Sequence, residues 1–536
     1  MKQSCKNCAQ DFEIADWDLQ LLDQISPVFQ GKKFSIPAPV LCPGCRQQRR
    51  MAYRNERSLY KRDCGKCKKP MLSVYSEDKP FTLYCRDCWW SDEWNGTDFT
   101  QEFDFNRPFA EQFYELMKKV PQLGIVNAVD QNSDYTNYGY QNKDCYLIFT
   151  SDFNEKCSYG CFVWRSFDCY DNLFLLESQL CYECLDCVKC YGSAYCRESE
   201  SLTDCFGCVD CRSCESCFGS SGLRNKKYHF FNEALSKEEY EKKVAEAKAN
   251  WPETLQKFKE VGKETPRRNL FLVQCENVLG DHLKNCKNSS HCFDGQELEE
   301  CKYMTNAPVK CDHDMDIDGA GWLFWSYECI STQGNRQLFS DHHWPEGSDL
   351  TYCSFSMGSS NCFGSVGVKK GKYCILNKQY SKDDYEALMV KIMEHLVKTG
   401  EWGNCFLPPY SRFAYNETVA QQYYPLTKEA ALKLGYRWHE ENVEKYSGKM
   451  DDVVICEVSG KAFRLIPQEL EFYKKLGLPL PKRHPEVRMK DREALRNPRQ
   501  FWTRGCDSCG VQMQSTYSPD RPEKVYCEAC YLKTVY

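Results

Sequence analysis

The sequence predicts a mainly β chain in which a duplicated, β-solenoid-like central region lies between cysteine-knuckle modules at the two termini, with short capping helices. Three observations predict it. CxxC pairs at both ends repeat at a constant offset, the central cysteines keep a period of three, and a 16-residue block of the centre recurs 145 residues later.

Cys64, Cys67, Cys85 and Cys88 return as Cys506, Cys509, Cys527 and Cys530, each 442 residues on. Two cysteines so spaced form a knuckle whose thiolates converge on one tetrahedral centre. A second knuckle roughly 15–20 residues away completes the four-thiolate shell that zinc favours, so the termini read as zinc-ribbon modules. The N-terminal module adds Cys5, Cys8, Cys42 and Cys45. Its C-terminal counterpart keeps only Cys456 for Cys5 and His484 for Cys42, with Ser459 and Val487 at the other two positions. Ligands of one metal decay together, so the sites are expected in sequential order rather than interleaved, with the degenerate one metal-free. About three structural zinc ions follow, with no open coordination position for hydrolytic chemistry. No secretory leader reads at MKQSCKNCAQ and no long apolar stretch occurs. Free thiols, a reducing cytoplasmic setting and no membrane association are therefore expected.

Between the ribbon sites, Arg46, Arg49, Arg50, Arg54, Arg57 and Lys61 fall on one face of a helix. The C-terminal module repeats the stripe as Arg488, Arg492, Arg496 and Arg499, with Arg504 matching Arg62. Arg rather than Lys at every shared position suits planar, bidentate capture of phosphate or carboxylate. Two partners fit. One is a nucleic-acid backbone, with Tyr53, Tyr60, Phe501 and Trp502 near enough in sequence to stack on bases. The other is the Asp and Glu complement of an adjoining domain, in a chain whose formal charge is −6. RNA or DNA is the favoured expectation.

In the centre, every third residue from Cys145 to Ser220 avoids charge. A period of three fits neither the helical 3.6 nor the strand period of 2; it fits a tightly wound coil with a narrow interior. Cys187/Cys205, Cys190/Cys208 and Cys196/Cys214 recur at i and i+18, which predicts rungs near that length stacked into ladders. The phase holds to Met304 and then slips by one residue. CFGSSGLRNKKYHFFN from Cys217 aligns with CFGSVGVKKGKYCILN from Cys362, predicting two homologous lobes. Each is expected to end in a Ser-capped helix, about Ser236 to Lys257 and Ser381 to Lys398. The interior thiols are expected as small buried packing groups. CYECLDCVKC lacks the longer last gap and the Pro of a ferredoxin motif, so no iron–sulfur cluster is expected.

One constellation could support catalysis. CDHDMDIDG has calcium-loop spacing at Asp314, Asp316 and Asp318, but Trp325 stands where the bidentate Glu would be. His313 with Asp341, His342 and His343 would suit a metal site or acid/base pair on a solenoid face. That makes an enzyme acting on a carbohydrate or phosphoester the rival reading.

The chain thus divides into a tandem zinc-ribbon module (1–95), a linker with a helix (96–130), lobe 1 (131–260), lobe 2 (261–400), a linker with a short helix after Pro425 (401–450), and a second module (451–536). CPGCRQQRR at Cys42 to Arg50, RNERSLYKR, and YCILNKQYSKDDYEAL resemble a large family of zinc-ribbon, cysteine-rich proteins of candidate-phylum, Parcubacteria-type bacteria. The resemblance spans nearly the whole length; it implies a bacterial, cytoplasmic protein and brings no activity with it. The expected role is a non-enzymatic scaffold holding nucleic acid, RNA foremost, through the Arg faces, with a protein-docking adaptor as a further alternative.

Overall fold

Each triplet of the central region turns the chain through one left-handed residue. In the computed structural model, which describes residues 1–440 except 308, 320 and 345, together with residues 453–535, Asp144, Leu147, Thr150 and Phe153 have φ of 53°, 50°, 50° and 60°. Four such corners close a rung. Parallel pairing therefore advances by twelve positions, as in Asn137↔Phe149, Cys161↔Leu173 and Leu173↔Leu185, and single bridges continue it through Tyr182↔Ala194 and Ala194↔Phe206. The mainly β, duplicated solenoid is as expected, but the rung is a third shorter than the i, i+18 thiol pairs suggested. Any multiple of three keeps a residue facing inward, so those thiols share the phase without sharing a ladder.

The left-handed conformation costs a non-glycine residue roughly 1–2 kcal/mol, and the hydrogen bonds that offset it explain the composition. The ladder uses the N–H groups of the two outward residues of a triplet, as in Tyr146 to Cys157 O and Tyr159 to Tyr146 O, both 3.0 Å. The inward N–H turns to the inward side chain one rung earlier: Cys145 to Ser133 Oγ at 2.9 Å, Ser166 to Asn154 Oδ1 at 3.0 Å, Cys157 to Cys145 Sγ at 3.5 Å. Those same side chains donate to carbonyls that face the lumen. Cys157 Sγ donates to Glu155 O at 3.5 Å and Ser166 O at 3.4 Å, Ser178 Oγ to Leu176 O at 2.9 Å, and Asn172 Nδ2 to Cys181 O at 3.0 Å. A small lumen residue that both donates and accepts, as Cys, Ser and Asn can, satisfies these groups, while Ile148, Val163, Leu175 and Leu202 fill other lumen positions. Burial pushes the thiols of Cys157, Cys187 and Cys196 well above their ordinary range, so they keep the proton they donate. Asp314 and His343 obey the same rule in lobe 2. Asp314 accepts Ser326 N–H at 2.7 Å while burial pushes its carboxyl well above the usual carboxylate range. His343 accepts Ser356 N–H at 3.0 Å on Nδ1 and reaches Cys353 O at 3.1 Å with Nε2.

Lobe 2 departs from the regular advance at several rungs, and it opens one position short at Leu272↔Leu283. Phe293↔Thr305 keeps the regular advance, whereas Leu298↔Cys311 and Thr305↔Asp318 each span one position more. The extra residue is the slip seen in the sequence phase. Later on, Leu323↔Gly334 is one position short and Asn335↔Ser348 one position long, so the two offset each other.

The chain folds as two compact units, each joining a terminal module to the lobe far from it in sequence. The first unit is Met1–Gly124 with Phe271–Glu440; the second is Ile125–Leu270 with the C-terminal module from 441 onward. In the first, residues of the expected 401–450 linker pack on the module, with Tyr415 and Ala420 buried beside Met51 and Ala52; positions 441–450 lie outside the described residues. The helices start where Ser and Thr allow. Ser236 Oγ accepts Glu239 N–H at 3.2 Å to open Lys237–Ala249, and Trp251–Glu260 follows as a separate helix. Ser381 caps Lys382–Thr399, and Thr427 caps Lys428–Lys433. Among the described residues, no helix is long and apolar enough to cross a membrane.

Candidate metal centres and the arginine faces

The terminal sulfurs gather into three quartets, Cys5/Cys8/Cys42/Cys45, Cys64/Cys67/Cys85/Cys88 and Cys506/Cys509/Cys527/Cys530, with the sulfurs of each within 4.8 Å of one another. The order is sequential, as the paired loss of ligands implied. Cys8–Cys42, Cys67–Cys85 and Cys509–Cys527 stand 3.7, 3.8 and 3.8 Å apart, close to the roughly 3.8 Å edge of a tetrahedron whose metal–sulfur bond is about 2.3 Å. Knuckle amides favour the thiolate. Burial would raise the Cys64 thiol, but N–H groups of Cys85, Cys67 and Lys66 aimed at its sulfur bring it to about 6. Cys527, Cys509 and Ser508 do the same for Cys506, also to about 6. At the degenerate position, Cys456 Sγ accepts Ser459 N–H at 3.4 Å, and His484 Nδ1 accepts Glu486 N–H at 3.2 Å as a helix cap.

The arginines expected to meet phosphate face carboxylates instead. On the helix Pro43–Met51, Arg46 Nε lies 2.8 Å from Asp316, and Arg50 lies 3.2, 2.7 and 2.9 Å from Asp316, Asp318 and Glu328. Arg49 reaches Glu328 at 2.8 Å, and Arg54 binds Glu56 at 2.7 Å and the Ser331 hydroxyl. Arg46, Arg50 and Arg54 are buried. Further along, Arg57 donates to Gln422 at 2.9 Å and Arg62 to Ser76 O at 2.5 Å. Of the aromatic neighbours, Tyr53 donates to Leu407 O at 2.6 Å and Tyr60 to Glu417 at 2.8 Å.

The second unit repeats the core of this arrangement at matching positions. On the helix Pro485–Glu493, Arg488 binds Asp171, and Arg492 lies 3.1 Å from Asp171 and 3.5 Å from Glu183. Arg496 reaches Asp186 at 3.1 Å, Arg504 donates to Ser518 O at 3.3 Å, and Arg499 is half-buried. The arginines are related by 442 residues, and Asp171, Glu183 and Asp186 by 145 residues to Asp316, Glu328 and Ser331. Two further contacts obey the same pair of offsets. Lys369 packs its ammonium 5.2 Å from the Trp89 ring, and Arg224 donates to Tyr531 at 2.8 Å. Leu83 pairs with Gln122 in parallel, and Val525 with Arg267. Between the short opening rung of lobe 2 and the slip the lobe offset is 144, which matches Tyr303 under Arg46 (5.3 Å) to Tyr159 under Arg488 (4.9 Å). Carboxylates of an adjoining domain are one of the two partners the sequence offers, but the sequence reading does not assign these particular acids to the Arg faces, although Asp171/Glu183 and Asp316/Glu328 recur at the lobe offset with the spacing of one rung between them.

The expected catalytic group does not form an open face. Asp341 binds Arg412 and sits 3.1 Å from His342 Nδ1, and all three are buried, with the His342 ring stacked 4.7 Å from Phe355. His343 points into the lumen as described above. His313 pairs instead with Asp312 at 2.5 Å and stacks 4.2 Å from Trp325. Burial holds His342 and His343 down at about 4, so both are neutral structural groups at pH 7. Asp314, Asp316 and Asp318, the calcium-like run, divide between the lumen and the Arg clamp. Compared with known proteins, the chain matches no family model and no curated relative.

Proposed function

We propose that this chain is a non-catalytic, zinc-dependent scaffold, in which three structural zinc ions shape two terminal modules and each module clamps one solenoid lobe through its Arg helix. The observation that carries the reading is the repeated set of ion pairs, Arg46/Arg50 with Asp316/Glu328 and Arg488/Arg492 with Asp171/Glu183. A guanidinium committed to a buried carboxylate does not offer its fork to a phosphate. Four sulfurs per site leave no coordination position for substrate. The donor set, all thiolate with tetrahedral edges, favours zinc over harder ions. Nucleic-acid binding through these arginines would require breaking the clamps and is not part of the proposal. Elemental analysis of the purified chain tests the reading alongside an RNA titration at low salt. Three zinc ions per chain and no RNA retained are expected. A fourth, exchangeable divalent ion, or affinity that falls steeply with salt as phosphate contacts demand, would replace it.

A further inference from the structure

The two clamps part company at one buried acid. In the first unit, Asp18 on the helix Asp16–Ile25 holds the Lys302 ammonium at 2.6 Å. In the second unit the corresponding helix is Pro467–Leu476, and Glu469 stands for Asp18 by the same 451-residue shift that relates Cys456 to Cys5. The lobe position that corresponds to Lys302, at the offset of 144, is Ser158. Glu469 is fully buried, and neither of its carboxylate oxygens has a partner in hydrogen-bonding geometry among the described residues. Burial pushes its carboxyl up to about 7, against the opposing pull of the Tyr159 hydroxyl and Arg488 nearby. The Ser158 and Tyr170 hydroxyls, bridged neighbours on adjacent rungs, are likewise buried without a partner in hydrogen-bonding geometry.

Charge balance sharpens the point. Arg46, Arg49, Arg50 and Lys302 face Asp18, Asp316, Asp318 and Glu328 in the first unit, four cations against four carboxylates. Position 491, which matches Arg49, is Asp491, and it turns to Arg483. Arg488 and Arg492 therefore face Asp171, Glu183 and Glu469, two cations against three carboxylates. A buried, uncompensated carboxylate is costly and is normally paired or neutralised.

We propose that the second unit binds one monovalent cation of ammonium or potassium size against Glu469, in the place that the Lys302 ammonium takes against Asp18. Carboxylate and hydroxyl oxygens are hard donors suited to such an ion. Lobe 1 would thus recruit from solution the positive charge that lobe 2 supplies covalently.

Dialysis of the full chain against rubidium chloride at pH 8, with rubidium standing in for potassium, should retain one ion per chain. Glu469→Gln should retain none. In thermal unfolding at constant ionic strength, exchanging tetramethylammonium for potassium should raise the wild-type transition by about 2–4 °C. Ser158→Lys, which restores the missing ammonium, should remove that dependence. If Ser158→Lys does not fold, the Glu469→Gln comparison decides by itself. Wild-type chain that retains no rubidium and unfolds identically in both salts would overturn the proposal, and a proton on the carboxylate would then be the neutralising charge.

Discussion

The two units solve one docking problem with different surpluses. The first has two cysteine quartets, four guanidiniums on its lobe (Arg46, Arg49, Arg50 and Arg54) and an internal ammonium; the second has one quartet, three guanidiniums (Arg488, Arg492 and Arg496) and a serine where that ammonium stands. What survives in both marks the minimum: the cysteine quartet next to the paired strand, two arginines one helical turn apart, and two carboxylates one rung apart. A helix turn advances about 5.4 Å and neighbouring strands lie about 4.8 Å apart. Arginines at i and i+4 therefore keep step with carboxylates on successive rungs, and that match of repeats explains why this pair was kept.

The largest expected difference concerns metal. A structural zinc ion in a four-thiolate site, as proposed for these quartets, is worth ~10–16 kcal/mol of apparent folding free energy. Cys506→Ser should make the whole C-terminal module sensitive to limited proteolysis. Cys64→Ser should expose only the second ribbon of the N-terminal module, whose first quartet persists. Equal loss in both variants would show that the additional quartet contributes nothing.

Breaking a clamp comes next. Truncating one partner of a buried ion pair costs about 3–5 kcal/mol. Arg50→Ala, which removes one guanidinium from three carboxylates, should lie at the upper end, and Arg492→Ala, which removes one from two, below it. Urea unfolding of the two variants checks the order.

Acid should distinguish the units through lobe 2. His342 and His343 sit at about 4 in the folded chain against 6.5 for a free imidazole. The unfolded chain binds more protons in that interval. Their contribution is therefore complete above pH 6.5 and is lost as the pH falls toward 4, about 3 kcal/mol for each ring. Imidazole NMR signals that titrate near 6.5 in the folded protein would refute this.

The smallest effect tests the lumen rule in lobe 1. Ser199 Oγ accepts Cys211 N–H at 3.1 Å and donates to Arg197 O at 2.7 Å. Ser199→Cys preserves both functions and should cost under ~1 kcal/mol, whereas Ser199→Ala orphans both groups and should cost ~1–3 kcal/mol. Equal costs would mean that lumen residues are chosen for size alone.

Much of this was legible in the residues. CxxC spacing gave the quartets and, through the joint loss at Cys456/His484, their grouping; the uncharged third position gave the lumen. Rung length was hidden because thiols line all four sides of the lumen, so their spacings carry the triplet but not the number of corners that closes a turn. The Arg stripe correctly indicated planar recognition of an oxyanion. Its partners lie far off in the chain, Asp316 for Arg46 and Asp171 for Arg488, in acids that are conspicuous only once the lobes are aligned. His342 and His343 looked catalytic because adjacent polar residues suggest a surface; the period of three sends one into the lumen and lays the other under Phe355.

The most direct test is a double-mutant cycle on each clamp, Arg46/Asp316 in one unit and Arg488/Asp171 in the other, measured by urea unfolding. Equivalent docking through buried charge predicts a coupling of at least about 2 kcal/mol in both. Additive effects in either cycle would contradict it.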